Sequence, residues 1–276
     1  MRIDAHQHFW NYDPVEYGWI SDGMDELKCD RLPADLAPLL QSAHLDGSVA
    51  VQARSTLEET EWLLQLADQN PFIKGVVGWV DVCSPDVRAQ LERVSVRKKL
   101  RGVRHIVQSE PDDQFMLRQD FRRGIGLLAE FGLAYDILVF PRHLPAAYEL
   151  VAAFPNQVFV LDHIAKPFVK EHVLSPWDAH IRRLALLPNV YCKVSGLLTE
   201  ADWKNWRPTD FFPYLDVVLQ AFGPQRSMFG SDWPVCTLAG SYAEVTSLVE
   251  EYARNLSESE LAQVWGETAA RAYHLQ

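Results

Sequence analysis

The chain has 276 residues, of which 48% are hydrophobic and 23% charged, enough apolar material for one large domain or two small ones. A formal net charge of −11 and a pI near 5.3 argue against nucleic acid or an anionic membrane as a main partner. No apolar run approaches the roughly 18 residues of a membrane span. Met1 leads straight into an apolar segment without a secretory leader, so we expect a cytoplasmic protein.

The first predicted element is the stretch 1–10, which is typical of a short apolar β-strand with His6 and His8 at its end. Side chains alternate between the two faces of a strand, so the two imidazoles are expected to point the same way. Two imidazoles on one face can hold a metal ion or polarise a carbonyl group.

Seven further short apolar runs follow at near-regular intervals. They are continuous rather than alternating, which is typical of parallel strands that are buried on both faces. The predicted strands are 47–52, 74–81, 100–105, 133–139, 158–163, 190–194 and 226–232.

Helical patterns separate the strands, and some begin with recognisable caps. Ser55 with Glu58 predicts a capping box before 56–68, and Ser257 with Glu260 predicts another before 258–273. The other predicted helices are 35–44, 86–94, 118–131, 144–153, 178–187, 211–222 and 241–254. Eight strands, each followed by a helix, indicate an α/β fold: a single-domain (β/α)8 TIM barrel over residues 1–276. An open doubly wound sheet is the alternative.

Two connections are unusually long, 9–32 and 195–209, and both are rich in aromatic residues, Trp203 among them. Both follow strands, so a barrel would place them over its C-terminal mouth. Their aromatic faces could stack there on a sugar ring, or they could simply pack against the barrel rim.

Reactive side chains recur at the predicted carboxyl ends of the strands, which in a barrel face the active site. In chain order they are His6, His8, Gln52, Arg54, Arg104, His105, Asp136, Asp162, His163, Lys166, Lys193 and Asp232. For four of them a purely structural role is an equal alternative: His105, Asp136, Asp162 and Lys193. The combination of His6, His8, His163 and Asp232 instead predicts one catalytic site.

These residue types favour one kind of chemistry. Imidazoles polarise a carbonyl, directly or through a divalent metal, while an aspartate nearby takes a proton from water. Arginine and lysine bind the oxygen-rich parts of a substrate. Together they predict hydrolysis of an activated carbonyl, with an oxyanion forming against the histidines.

In this order, His6-x-His8, His163 and the segment 230–234 (Gly-Ser-Asp-Trp-Pro) resemble the amidohydrolase superfamily. The closer similarity is to its amidohydrolase-2 branch, and within it to sugar-lactone hydrolases of the L-fuconolactonase and L-rhamnonolactonase type. The resemblance runs nearly end to end. Its supporting stretches are 4–10, 78–81, 100–105, 160–167 and 191–197.

The resemblance implies hydrolysis of a sugar-derived lactone, such as L-fucono- or L-rhamnonolactone, to the open-chain sugar acid. It implies that Asp232 activates water while the three histidines polarise the carbonyl, alone or through one divalent ion, commonly zinc. The implied metal ligands are His6, His8, His163 and Asp232. The implied or candidate substrate-binding residues are Arg104, His105, Lys166, Gln52, Trp233 and Trp203.

One departure concerns strand five, where many superfamily members carry a metal-binding histidine or a carbamylated lysine. The segment 135–139 has neither, so we expect no binuclear centre, and a single metal would lack one usual ligand. Lactones are activated esters, and we therefore expect activity that survives chelation of the metal.

The sequence is also compatible with two other functions. One is a metal-dependent decarboxylase or hydrolase of an aromatic or muconate-type acid on the same fold. The other is a non-catalytic sugar-binding barrel. The sequence also leaves open which lactone is bound, its ring size and whether identical subunits associate.

Overall fold

Eight parallel strands form one ring in the computed structural model, which describes all of residues 1–276. They are β1 (Ile3–Gln7), β2 (Gly47–Val51), β3 (Ile73–Gly78), β4 (Leu100–His105), β5 (Ala134–Ile137), β6 (Phe159–Leu161), β7 (Val190–Val194) and β8 (Ser227–Phe229). Each strand pairs with the next in chain order. Just beyond β1 and β8, the amide of His8 donates to the Trp233 carbonyl at 2.7 Å and the amide of Asp232 to the His6 carbonyl at 2.8 Å. These bonds bring the first and last strands together, and the predicted single-domain (β/α)8 barrel is confirmed.

The helices alternate with the strands as the sequence predicts. They are α1 (Pro33–Ser42), α2 (Leu57–Gln69), α3 (Val87–Ser95), α4 (Gln119–Leu128), α5 (Leu144–Ala153), α6 (Trp177–Leu184), α7 (Pro208–Phe222), α8 (Tyr242–Ala253), α9 (Glu258–Ala262) and α10 (Thr268–Ala272). The predicted helix 258–273 is divided in two by the π turn Gln263–Glu267. A Cβ at Gly266 would lie 2.0 Å from the Met1 carbonyl oxygen, so only glycine fits this turn against the start of β1.

The cap of α2 lies one residue later than predicted. Thr56 is the N-cap, and its hydroxyl accepts from the Glu59 amide at 3.1 Å. Glu59 instead accepts from the amides of Ala53 and Arg54, at 3.0 and 2.7 Å, because its buried side chain turns back to the end of β2. The predicted capping box of Ser257 and Glu260 is confirmed.

Burial explains the continuous apolar runs. Every residue of β1, β2, β5, β6 and β8 is buried, because one face of each strand fills the barrel and the other packs under the helices. The strands also contain charged residues, such as Asp136 and Lys193, and these are fully buried as well. No helix combines the length and hydropathy that crossing a bilayer needs.

Both long connections contribute to the C-terminal mouth. Trp19 and Met24 from 9–32, and Thr199, Glu200 and Trp203 from 195–209, line a cavity there. The first connection is anchored by an apolar cluster in which Trp10 and Tyr17 pack with Ala53, next to β2.

Candidate active site

A cavity of about 380 Å³ opens at the carboxyl ends of the strands. Six of the predicted site residues line it: His8, Arg104, His163, Lys166, Trp203 and Asp232. Its other walls are partly apolar, with Ile106, Leu138 and Phe140 on one side. The cavity is therefore large enough for one small molecule and has both polar and apolar surfaces.

The carboxylate of Asp232 is surrounded by three imidazoles. Its Oδ1 lies 3.4 Å from Nε2 of His8, and 3.8 Å from Nε2 of both His6 and His163. The Nε2 atoms of His6 and His8 lie 3.2 Å apart, as the shared strand face predicts. The structure thus brings together residues that are more than 200 positions apart in the chain.

Left-handed backbone conformations orient two of these residues. His163 has φ 53°, and the three residues after it, to Lys166, are also left-handed; Asp232 has φ 58°. Such conformations cost roughly 1–2 kcal/mol for each non-glycine residue. The turn after β6 is held by Trp177, whose Nε1 donates to the Ile164 carbonyl at 2.7 Å.

Neighbouring side chains fix the orientation of His163 and Asp232. Nδ1 of His163 bonds Oγ of Ser195 at 2.9 Å. Gly196, with φ 61°, packs so closely that a Cβ there would lie 2.6 Å from the His163 ring. On the other side, the fully buried Asp4 accepts from the Ser231 amide at 2.8 Å and from its hydroxyl at 2.6 Å, next to Asp232.

The tautomer of His8 follows from its backbone partner. Its Nδ1 lies 2.8 Å from the Val51 carbonyl oxygen, which can only accept, so Nδ1 carries a proton. The neutral ring therefore has its free electron pair on Nε2. That atom is suited to binding a metal ion rather than to donating a hydrogen bond to a carbonyl oxygen.

A network of buried charges lies beneath the histidines. Lys193 donates to Asp136 at 2.5 Å and lies 3.0 Å from Asp162. Asp162 also accepts from Arg104 at 2.9 Å. Solvent cannot reach Lys193, Asp136 or Asp162, and Arg104 is only 3% exposed. Asp136 and Lys193 thus neutralise each other inside the barrel, and strand five supplies no ligand to the histidine cluster.

Burial and neighbouring charges shift the pKa values of Asp232 and of two of the histidines. Burial alone would raise the pKa of Asp232, but the surrounding imidazoles, His163 foremost, hold it well below its ordinary value. Burial lowers the pKa of His163 to about 4, and burial together with Lys193 lowers that of His6 well below its ordinary value. At neutral pH the site therefore contains an ionised carboxylate beside neutral His6 and His163 rings.

The donor atoms fit one tetrahedral metal ion. His6, His8 and Asp232 each offer an atom, and the three lie within 4.8 Å of one another. Two ligands of a tetrahedral zinc ion, at about 2.0–2.1 Å from it, lie roughly 3.3 Å apart. The 3.2 Å between the two Nε2 atoms and the 3.4 Å from His8 to Asp232 match that spacing, and the 3.8 Å from His6 to Asp232 is longer.

Three residues predicted to bind substrate do not line the cavity. His105 points away from the barrel axis because it alternates with Arg104 on β4; it pairs with Glu110 at 2.6 Å and stacks on Phe115. Trp233 is 2% exposed and packs edge-on against Phe9. Gln52 is buried beneath the cavity, where its side-chain oxygen accepts from Arg104 at 2.9 Å and holds the guanidinium in place.

Several residues of the site were missed by the sequence reasoning. Gln108, Ser109, Thr199 and Glu200 line the cavity. They lie in irregular connections, where no periodicity predicts which side chain faces inward. Glu200 lies inside the connection 195–209, where only the aromatic residues form a recognisable pattern.

The amidohydrolase family model (Amidohydro_2) matches residues 3–275. The chain belongs to the amidohydrolase family. This amidohydrolase is 47% identical to an L-fucono-1,5-lactonase of Burkholderia multivorans, over 100% of this chain and 96% of the relative. It is 38% identical to an L-fucono-1,5-lactonase of Burkholderia ambifaria, over 88% and 84% of the two chains. A crystal structure of an amidohydrolase from Burkholderia multivorans with bound zinc superposes with a TM-score of 0.95, at 48% identity and 100% coverage of both chains.

Proposed function

We propose that this amidohydrolase hydrolyses a sugar lactone, L-fucono-1,5-lactone or a closely similar aldonolactone, to the open-chain sugar acid. The observation that carries the proposal is the ionised Asp232 among three imidazoles at the wall of a mouth cavity. The L-fucono-1,5-lactonases related over most of the chain support the choice of substrate.

In the proposed reaction Asp232 is the general base. Its lowered pKa keeps the carboxylate ionised at neutral pH, ready to take a proton from water in the cavity. The water oxygen then bonds to the lactone carbonyl carbon. When the ring carbon–oxygen bond breaks, the proton passes to the ring oxygen, which becomes a hydroxyl group of the product.

A fixed positive charge and one donor near the floor of the cavity would stabilise the charge that develops on the carbonyl oxygen. The guanidinium of Arg104 lines the cavity and supplies the charge, while its N–H groups point at His6, Asp162 and Gln52, which hold it in place. Nε2 of His163 faces the same space; when the Ser195 hydroxyl donates to Nδ1, Nε2 carries the ring proton and can donate to the carbonyl oxygen. Fixed groups of this kind stabilise an oxyanion without reorganising during the reaction.

His6, His8 and Asp232 would hold a divalent metal, with His163 beside them. When bound, such an ion would polarise the lactone carbonyl. The fit of the donor spacing to zinc, and the bound zinc in the related crystal structure, support this site.

The test is a pH-indicator assay of the purified protein against a panel of five- and six-membered aldonolactones. We expect turnover of L-fucono-1,5-lactone at least as fast as of any other member. An absence of hydrolysis with every sugar lactone would contradict the proposed function.

A further inference from the structure

Two charged side chains in the cavity wall have hydrogen-bonding capacity that the chain does not use. Nζ of Lys166 lies 3.7 Å from Oε1 of Glu200, beyond a direct hydrogen bond. Neither side chain is hydrogen-bonded to any other group of the protein, although their side chains are only 20% and 21% exposed. Both side chains line the mouth cavity, so this capacity is available to a molecule that enters it.

The backbone holds both groups in place. Lys166 ends the left-handed turn after β6, with φ 50°. Glu200 ends the short 3-10 segment Leu198–Glu200 after β7, and its carbonyl accepts from the Lys170 amide at 3.0 Å. The two side chains therefore converge from neighbouring strands on one side of the mouth.

A flat aromatic surface lies beside the pair. Nε1 of Trp203 donates to the Thr199 carbonyl at 3.0 Å, which fixes the ring while leaving 37% of the residue exposed. Trp203, Lys166 and Glu200 all line the mouth cavity. Gln108 also lines it, and its side-chain oxygen is buried without a partner.

This combination matches the chemistry of a polyol. A carboxylate accepts hydrogen bonds from two adjacent hydroxyl groups, an ammonium group donates to their oxygens, and an aromatic face packs on the C–H face of a sugar ring. The charges of Lys166 and Glu200 cancel, so the pair offers no net positive charge to a substrate carboxylate, and a neutral ligand is favoured.

We propose that Glu200, together with Lys166, binds vicinal hydroxyl groups of the lactone and is a specificity-determining residue of this site. The inference rests on the proposed lactonase function and sharpens it. The preferred substrates are uncharged lactones with adjacent hydroxyl groups.

The experiment compares Glu200→Gln with the wild type on two substrates, L-fucono-1,5-lactone and the unhydroxylated δ-valerolactone. Loss of charge-assisted hydrogen bonds should lower kcat/KM for the sugar lactone by about 10- to 100-fold, mainly through KM. The change for δ-valerolactone should stay under about twofold, because that ring has no hydroxyl group to bind. Glu171→Gln is the matched control, since Glu171 is an exposed carboxylate outside the mouth cavity.

Circular dichroism and thermal unfolding verify that the Glu200→Gln variant is folded. Lys166→Met should likewise lower kcat/KM for the sugar lactone and leave that for δ-valerolactone nearly unchanged. Equal losses on both lactones, or no loss on the sugar lactone, would overturn the role of Glu200 while leaving the lactonase function intact. A wild-type protein that hydrolyses no sugar lactone would instead overturn the proposed function itself.

Discussion

Nζ of Lys193 lies 3.1 Å from Nδ1 of His6, whose Nε2 faces His8. Oδ1 of Asp162 lies 3.3 Å from the same Nδ1. Lysine can only donate and the carboxylate can only accept, so His6 has a partner in either neutral tautomer. A proton on Nδ1 leaves Nε2 free to bind a metal, and a proton on Nε2 can be donated towards Asp232, whose Oδ1 lies 3.8 Å away. The site is therefore suited to both a metal-bound and a metal-free state.

That arrangement leads us to expect activity without a metal. After dialysis against a strong chelator, with zinc content followed by atomic absorption, kcat for the sugar lactone should stay within about tenfold of the untreated protein. The Arg104 charge and the His163 ring remain in place without the metal, and a lactone is an activated ester. Loss of turnover on chelation, with recovery on adding zinc, would contradict a dispensable metal.

Lys193 is expected to be essential for stability. Lys193→Met leaves Asp136 and Asp162 without their shared cation in the barrel interior, and removing one partner of a buried ion pair costs about 3–5 kcal/mol. Tyr273→Phe is the control, because it removes only a hydroxyl that donates to Asp136 at 2.8 Å, a loss of about 1 kcal/mol. Urea unfolding measures both, and similar losses for the two variants would argue against a charged Lys193.

Glu59 should make stability depend on pH. Burial raises the pKa of Glu59 from 4.5 to about 7. The folded state thus holds this proton more tightly than the unfolded state, so the stabilisation is complete below pH 4.5 and is lost as the pH rises through about 7. Glu59→Gln removes this dependence. The difference in free energy of unfolding between this variant and the wild type should therefore shift by roughly 3 kcal/mol in favour of the variant between pH 4 and pH 8.

Denaturant unfolding at several pH values tests this expectation. Glutamine keeps an oxygen that can accept from Ala53 and Arg54, so the geometry of the β2 end is retained. The exposed Glu58→Gln serves as the control and should follow the wild-type curve. A constant difference between Glu59→Gln and the wild type across this range would contradict the raised pKa.

The architecture was predictable because burial on both faces makes the barrel strands continuous apolar runs. The proximity of His6 and His8 followed from the alternation of side chains along one strand. Alternation alone could not tell whether Arg104 or His105 faces the barrel axis, since that depends on how the ring closes.

The cavity walls were less predictable. Glu200 and Gln108 lie in irregular segments whose course depends on contacts distant in sequence, such as the bond from the Gln108 amide to the Leu138 carbonyl at 3.1 Å. The roles of Asp136 and Lys193 were equally hard to predict. Each is a potentially reactive group on its own, and only the structure shows that they pair with each other at 2.5 Å.

The role of Asp232 as the general base is tested by the rate at which Asp232→Asn hydrolyses L-fucono-1,5-lactone. Asparagine preserves the shape of the side chain but cannot take a proton from water. We expect a fall in kcat of roughly 10³-fold in a variant that is folded and still binds the sugar acid product. A variant that keeps kcat within tenfold of the wild type would contradict Asp232 as the general base.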